Sequence, residues 1–209
     1  ARQDRKAAAR EPITAKLVAN LMTAAGFNRM ITIDLHQGQI QGFFDTPVDH
    51  LTALPIFADY FKKKNLDPEN LCVVSPDVGR AKAAKKLSDM LSADLAIMHK
   101  GRPGHNKAEI TALIGDVEGK DCIVNDDMID TAGTLCAAVA TLKEKGANRV
   151  FVCASHPIFS GPAYDRLENS QIDEVVVCNT VFVPEERQTG KITVISVAPL
   201  LANAIRNVY

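Results

Sequence analysis

The sequence predicts an α/β fold, with a mainly parallel sheet flanked by helices. Short apolar runs that suit buried strands alternate with helical stretches almost from end to end. Three of these runs end in polar clusters: Asp34-Leu35-His36, Ser75-Pro76-Asp77 and Asn125-Asp126-Asp127. In open α/β sheets, ligands bind at the carboxyl ends of strands. Nearly half of the 209 residues are apolar, enough for a sizeable core in one large or two modest domains.

A helix is predicted over residues 12–25: Pro12 suits its first turn, Leu17, Val18 and Leu21 share its apolar face, and Gly26 closes it. Residues 30–33 form a short buried strand, and 38–45 a loop rich in amides and glycine. A second helix covers 52–64 and stops before Asp67-Pro68. A strand at 71–74 leads through Ser75-Pro76-Asp77 into a helix at 80–91. A strand at 95–98 precedes a polar loop at 102–107. The strand at 122–125 runs into two adjacent acids, and a helix at 133–145 comes next, closed by Gly146. Residues 150–154 and 174–178 are further strands, and 199–207 a final helix. No low-complexity segment or short repeat interrupts this pattern.

Composition excludes several classes. Lys plus Arg total 24 against 25 Asp plus Glu, which argues against a general nucleic-acid binder. Basic residues do cluster locally, at 2–10 and at His99-Lys100-Gly101-Arg102. No apolar run is long enough to span a membrane, and no signal peptide is read. Cys72, Cys122, Cys136, Cys153 and Cys178 are scattered, without CxxC spacing. They are expected to be small buried residues of a reduced, cytoplasmic protein. The chain opens on Ala1-Arg2-Gln3-Asp4-Arg5-Lys6 without an initiator Met, and is expected to be the interior of something longer.

The most informative stretch is Ile123-Val124-Asn125-Asp126-Asp127-Met128-Ile129-Asp130-Thr131-Ala132-Gly133-Thr134-Leu135. Small residues let backbone N–H groups approach phosphate oxygens, and the helix beyond them points its positive end at the anion. Thr131 and Thr134 add hydroxyl donors. Two acids beside an anion site are explained if they accept hydrogen bonds from sugar hydroxyls or sit near a metal ion. This run resembles the ribose-phosphate loop of the phosphoribosyltransferase-type fold.

Taken with residues 1–6, 34–45, 74–77, 99–103 and 155–162, it resembles the ribose-phosphate diphosphokinase family, also called the phosphoribosyl pyrophosphate synthetases. The likeness covers essentially the whole chain. It implies transfer of the diphosphoryl group of Mg-ATP to the C1 hydroxyl of ribose 5-phosphate, giving 5-phosphoribosyl diphosphate and AMP. It implies that Arg2, Gln3 and His36 bind ATP, and that His36 and Asp77 serve Mg²⁺. Asp126, Asp127, Asp130, Thr131, Ala132, Gly133 and Thr134 would bind ribose 5-phosphate. Lys100 and Arg102 would be the catalytic pair, acting on transition-state charge. Residues 1–50 would be the remainder of an incomplete N-terminal, ATP-side domain and 51–209 the ribose-phosphate domain, in a cytoplasmic homo-oligomer, a hexamer by resemblance, with no nucleic-acid or membrane partner.

Three departures from the family pattern stand out: the stretch with Arg80 and Ala83, the residue Asn125, and the lack of roughly the first third of the family's usual length. Arg80 replaces a glycine and either restores a phosphate contact or crowds the diphosphate. Ala83 stands where Arg is common. Asn125 replaces an aliphatic strand residue and needs hydrogen-bond partners. Two rival readings stay open: a phosphoribosyltransferase that consumes 5-phosphoribosyl diphosphate, and a non-catalytic regulatory homologue of the synthetase.

Overall fold

The computed structural model describes residues 2–6, 8–101, 109–188 and 190–208. The chain divides into two compact units, one of residues 1–53 with 198–209 and one of residues 54–197. The sequence placed the division at residue 50 and kept the final helix with the second part.

The first unit contains α1 (Thr14–Ala24), two parallel strands, β1 (Met30–Ile33) and β2 (Val48–Leu51), a 3-10 helix at Gly38–Phe43, and the last helix of the chain, Ala198–Arg206. Met30 pairs with Val48 and Ile33 with Leu51. The apolar face expected of α1 is corrected by the structure. Ala15 and Ala19 are its buried residues, whereas Leu17 and Leu21 are more than half exposed. Alanine allows close backbone approach, so the helix seats on its small side chains rather than its large ones. At the end of β1, Asp34 Oδ2 accepts from the Ala53 N–H at 2.9 Å and so ties the two strand ends together.

The second unit is a seven-stranded sheet. Its strands are β3 (Leu71–Ser75), β4 (Asp94–Gly101), β5 (Glu109–Ile114), β6 (Asp121–Ile129), β7 (Val150–Pro157), β8 (Glu174–Cys178) and β9 (Ile192–Ile195), in the order β5-β4-β3-β6-β7-β8-β9. All neighbours are parallel except β4 and β5. The helices are α2 (Leu54–Lys63), α3 (Ala81–Leu91), α4 (Gly133–Glu144) and α5 (Ala163–Glu168). β3 is buried at every position and β7 at all but His156, as expected of strands covered on both faces. Cys72, Val74, Cys122, Val124, Val152 and Val177 pack with Leu135, Ala138, Val139 and Leu142 of α4. Residues at the alternate positions, such as Phe151, meet the other layer, where Phe61 of α2 packs edge-on against its ring.

The strand order places a topological switch point between β3 and β6. From β3 the chain winds outward through β4, and from β6 it winds the opposite way through β7, β8 and β9. A crevice at the carboxyl ends of these two strands is where such sheets hold ligands. The sequence anticipated neither β2, β5 and β9 nor α5. Cys72, Cys122, Cys153 and Cys178 are buried, and Cys136 is half-buried. No helix among the described residues is long and apolar enough to cross a membrane.

A polar network ties α2 to the sheet. Tyr60 Oη donates to Glu174 Oε1 at 2.5 Å, Thr193 Oγ1 donates to the same oxygen at 2.8 Å, and Lys64 Nζ lies 2.8 Å from Oε2. Burial pushes the Glu174 carboxyl up, but the contacts from Lys64, Tyr60 and Thr193 outweigh it and hold it below the usual carboxylate range. A depressed carboxyl stabilises the fold above its unfolded pKa, and that contribution is lost as pH falls through its folded pKa. Replacing Glu174 with Ala is expected to cost about 2 kcal/mol near neutrality, or roughly 4–8 °C in Tm. Thermal melts of both forms as the pH is lowered below about 4 should show the gap narrowing. A gap constant with pH would mean that the ionised carboxylate is not what stabilises this corner.

Candidate active site

The site is built from the carboxyl ends of β3 and β6 and the amino ends of α3 and α4. The chain leaves β3 at Ser75, whose buried hydroxyl donates to the Asp77 carbonyl at 2.6 Å. Asp77 Oδ1 then accepts from the Arg80 N–H at 3.1 Å, capping the single 3-10 turn Val78–Arg80 ahead of α3. A Cβ on Gly79 would stand 3.1 Å from that same oxygen, so a larger residue would press on the cap.

β6 runs further than the sequence indicated. Instead of stopping at Asn125 it continues to Ile129, with Asn125 opposite Cys153, Asp126 opposite Ala154 and Met128 opposite His156. The two acids therefore lie inside a hydrogen-bonded strand, which fixes their backbone. Asp127 is buried and Asp126 half-buried, and Asp126 Oδ1 accepts the Asp127 N–H at 2.8 Å. Burial is the main reason the Asp126 carboxyl is pushed up to about 7. The adjacent Asp127 carboxyl adds to the rise, while the Asp127 N–H and Arg80 oppose it. Two carboxyls side by side resist ionising together.

Arg80 crosses from the β3 side to the β6 side. Its Nε is buried without a hydrogen-bond partner and lies 3.9 Å from Asp126 Oδ1. Asn125, another departure, donates from Nδ2 to Cys153 Sγ at 3.4 Å, and its Oδ1 is buried without a partner. Nothing in the structure explains that orphaned oxygen.

After Ile129 the chain turns through Asp130, Thr131 and Ala132 into α4. Ala132 takes the left-handed conformation, with φ of 59°, although it is not glycine. A left-handed Cβ residue costs roughly 1–2 kcal/mol, and such strain collects at ligand-binding turns. Ala132 offers no capping side chain, and the first turn of α4 carries no acid. The positive end of a twelve-residue helix is thus uncompensated by a side chain at its first turn. Thr131 and Thr134 are exposed there, and Asp130 and Gly133 are half-buried. The Ile129 carbonyl accepts from the N–H groups of Ile158 and Phe159, and that of Asp130 from Ser160, all at 3.0 Å. Arg166 Nη1 donates to the Thr131 carbonyl at 2.9 Å.

Of the remaining residues singled out in the sequence, His36 lies half-buried in the first unit, two residues beyond the strand-end Asp34. Arg2 is exposed. Gln3 Oε1 accepts from the Thr14 hydroxyl, and the Gln3 carbonyl accepts the Ala15 N–H at 3.0 Å, which engages Gln3 with the start of α1. Lys100 is described only through its backbone, where the β4–β5 register slips between His99 and Lys100. Arg102 lies outside the described residues. Sequence reasoning missed Arg166, the Ile158–Ser160 contacts and the strain at Ala132.

Comparisons with known proteins bear on this arrangement. The family profile described as "Phosphoribosyl synthetase-associated domain" matches residues 102–209, and the "N-terminal domain of ribose phosphate pyrophosphokinase" matches residues 1–26. The chain is 54% identical over its full length to a ribose-phosphate pyrophosphokinase of Bacillus caldolyticus and 55% identical to one of Halalkalibacterium halodurans. It spans 66% of the length of each. The crystal structure of phosphoribosylpyrophosphate synthetase from Mycobacterium smegmatis superposes with a TM-score of 0.91 at 47% identity, covering 99% of this chain and 67% of that one. On these grounds the chain belongs to the ribose-phosphate pyrophosphokinase family and has its phosphoribosyltransferase-type fold.

Proposed function

We propose that the protein transfers the diphosphoryl group of Mg-ATP to the C1 hydroxyl of ribose 5-phosphate, giving 5-phosphoribosyl diphosphate and AMP. The observation that carries this reading is the pairing of a strand-held acid pair, Asp126 and Asp127, with a strained turn and an uncapped helix N-terminus at one switch point. An anion site alone would need no acids. A sugar phosphate needs both, because its hydroxyls donate and its phosphate accepts.

In this reading the N–H groups of residues 130–134 and the hydroxyls of Thr131 and Thr134 hold the 5-phosphate, and Asp126 and Asp127 accept from the ribose hydroxyls. The C1 oxygen attacks the β-phosphorus of ATP, the oxygen bridging the α- and β-phosphorus leaves on AMP, and the proton of the C1 hydroxyl departs to solvent. Lys100 and Arg102 meet the charge that grows on the phosphoryl oxygens, where compact and planar cations act differently. Arg2, Gln3 and His36 are assigned to ATP. The 1–50 segment is thus assigned to the ATP side and 51–209 to the ribose-phosphate side, in a cytoplasmic homo-oligomer.

Among the described residues, no group of three or more His, Cys, Asp or Glu side chains comes together to hold a metal ion. Separate carboxylates fit Mg²⁺, which takes one or two of them together with substrate phosphates and waters. Asp77 is such a carboxylate and His36 is assigned to the metal by resemblance alone; when bound, the ion would neutralise phosphoryl charge.

The test is product analysis on the intact protein. With Mg²⁺, ATP and ribose 5-phosphate, AMP and 5-phosphoribosyl diphosphate should appear in equal amounts. ADP as product would mean transfer of a single phosphoryl group. No turnover with both ligands bound would favour the regulatory homologue.

A further inference from the structure

We propose that Arg166 is a positioning residue for the ribose 5-phosphate loop, acting through the Thr131 carbonyl; this rests on the function proposed above. A trans peptide sets each C=O opposite the next residue's N–H. The carbonyls of Ile129, Asp130 and Thr131 are all engaged by the segment 158–166. The N–H groups of Asp130, Thr131 and Ala132 therefore face the other way, toward the turn. The first two carbonyls are held by backbone donors from Ile158, Phe159 and Ser160. The third is held by a side chain, Arg166 Nη1 at 2.9 Å.

That third peptide is the strained one. Rotating the Thr131–Ala132 peptide plane would change φ of Ala132, now at 59°, and release the left-handed conformation. It would also turn the Ala132 N–H out of the turn and the Thr131 carbonyl into it, where an anion would be repelled. The charge-assisted bond from Arg166 opposes that rotation. The Arg166 carbonyl accepts from Cys136 Sγ at 3.6 Å, which ties α5 to α4 near the same point.

Gly133 bears on the same contact. Its φ is not positive, so backbone freedom does not require glycine. A Cβ there would lie 3.0 Å from Arg166 Nη1 and 3.6 Å from Cζ, with nothing else within 4 Å. The glycine leaves room for the guanidinium, and an alanine would press its Nη1 back by a few tenths of an ångström and lengthen the bond to Thr131.

Calorimetry with ribose 5-phosphate on the intact protein tests this. Arg166→Ala should weaken binding roughly tenfold, with the melting temperature of the unliganded protein little changed. Arg166→Lys should retain part of the affinity, because one point donor can still reach a single carbonyl. In steady state, the KM for ribose 5-phosphate should rise while the KM for ATP and kcat hold, a split that general loosening would not give. Gly133→Ala should also weaken binding, yet cost nothing further when added to Arg166→Ala. Wild-type affinity in Arg166→Ala, or losses from the two substitutions that multiply fully, would overturn the inference. Should Arg166→Ala fail to fold, the same judgement falls to Arg166→Lys and Gly133→Ala. A wild-type protein that does not bind ribose 5-phosphate would remove the proposed function and this inference with it.

Discussion

Lys100→Ala and Arg102→Ala are each expected to lower kcat on the order of 100-fold or more, with much smaller changes in either KM. The expectation rests on the roles that the resemblance implies for Lys100 and Arg102 and on the chemistry of diphosphoryl transfer. The transferred group carries negative charge on its oxygens, and that charge shifts as the bond to AMP breaks. A cation that meets it only then appears in kcat and not in ground-state binding. β4 and β5 are antiparallel, Gly101 pairs with Glu109, and the ladder slips between His99 and Lys100. The extra residue, Thr111, belongs to β5, the neighbour of the strand that carries Lys100. Steady-state kinetics on the intact variants decides the matter. Wild-type turnover in either would remove that residue from the mechanism, and a raised KM with kcat intact would make it a binding group.

The sheet was legible where its strands are continuous apolar runs. Leu71–Ser75 and Glu174–Cys178 are buried almost throughout and read directly from composition. Val48–Leu51 carries an Asp and a His, and Ile192–Ile195 is four residues long, so neither offers a period to detect. α5 has six residues and comes after Gly161-Pro162, which reads as a turn. The acid pair is visible in the sequence, but its setting is not. Aspartate is depleted in strands, so composition ends the strand before the acids, whereas pairing with β7 carries it four residues beyond Asn125.

The turn teaches a related lesson. Thr-Ala-Gly-Thr suggests that glycine supplies the unusual backbone conformation. In fact Ala132 takes the positive φ, and Gly133 leaves space for Arg166. A residue 32 positions beyond Thr134 in sequence, on a six-residue helix, carries no local signal of that contact.

Asp126→Asn is expected to weaken ribose 5-phosphate binding about 10- to 100-fold, the range for losing hydrogen bonds to a charged acceptor, and to remove part of its pH dependence. An ionised carboxylate accepts from two ribose hydroxyls, whereas a protonated one gives up an acceptor site to its own proton. Burial and the neighbouring Asp127 push the Asp126 carboxyl up to about 7. A raised carboxyl is mostly protonated below that value, so affinity should grow as pH rises from about 6 to about 8 and then level off. The ligand's own phosphate loses its second proton near about pH 6 and strengthens binding in the same direction. The informative quantity is therefore the difference between wild type and Asp126→Asn, measured by calorimetry across that range. The variant should keep the phosphate's titration and lose the later rise. Thr134→Val offers the converse: affinity should fall through the loss of a hydroxyl donor to the phosphate, while the rise through neutral pH persists. Equal affinity in wild type, Asp126→Asn and Thr134→Val would place ribose 5-phosphate elsewhere. Identical pH profiles for wild type and Asp126→Asn would mean that Arg80, 3.9 Å away, already holds the carboxylate ionised at every pH tested.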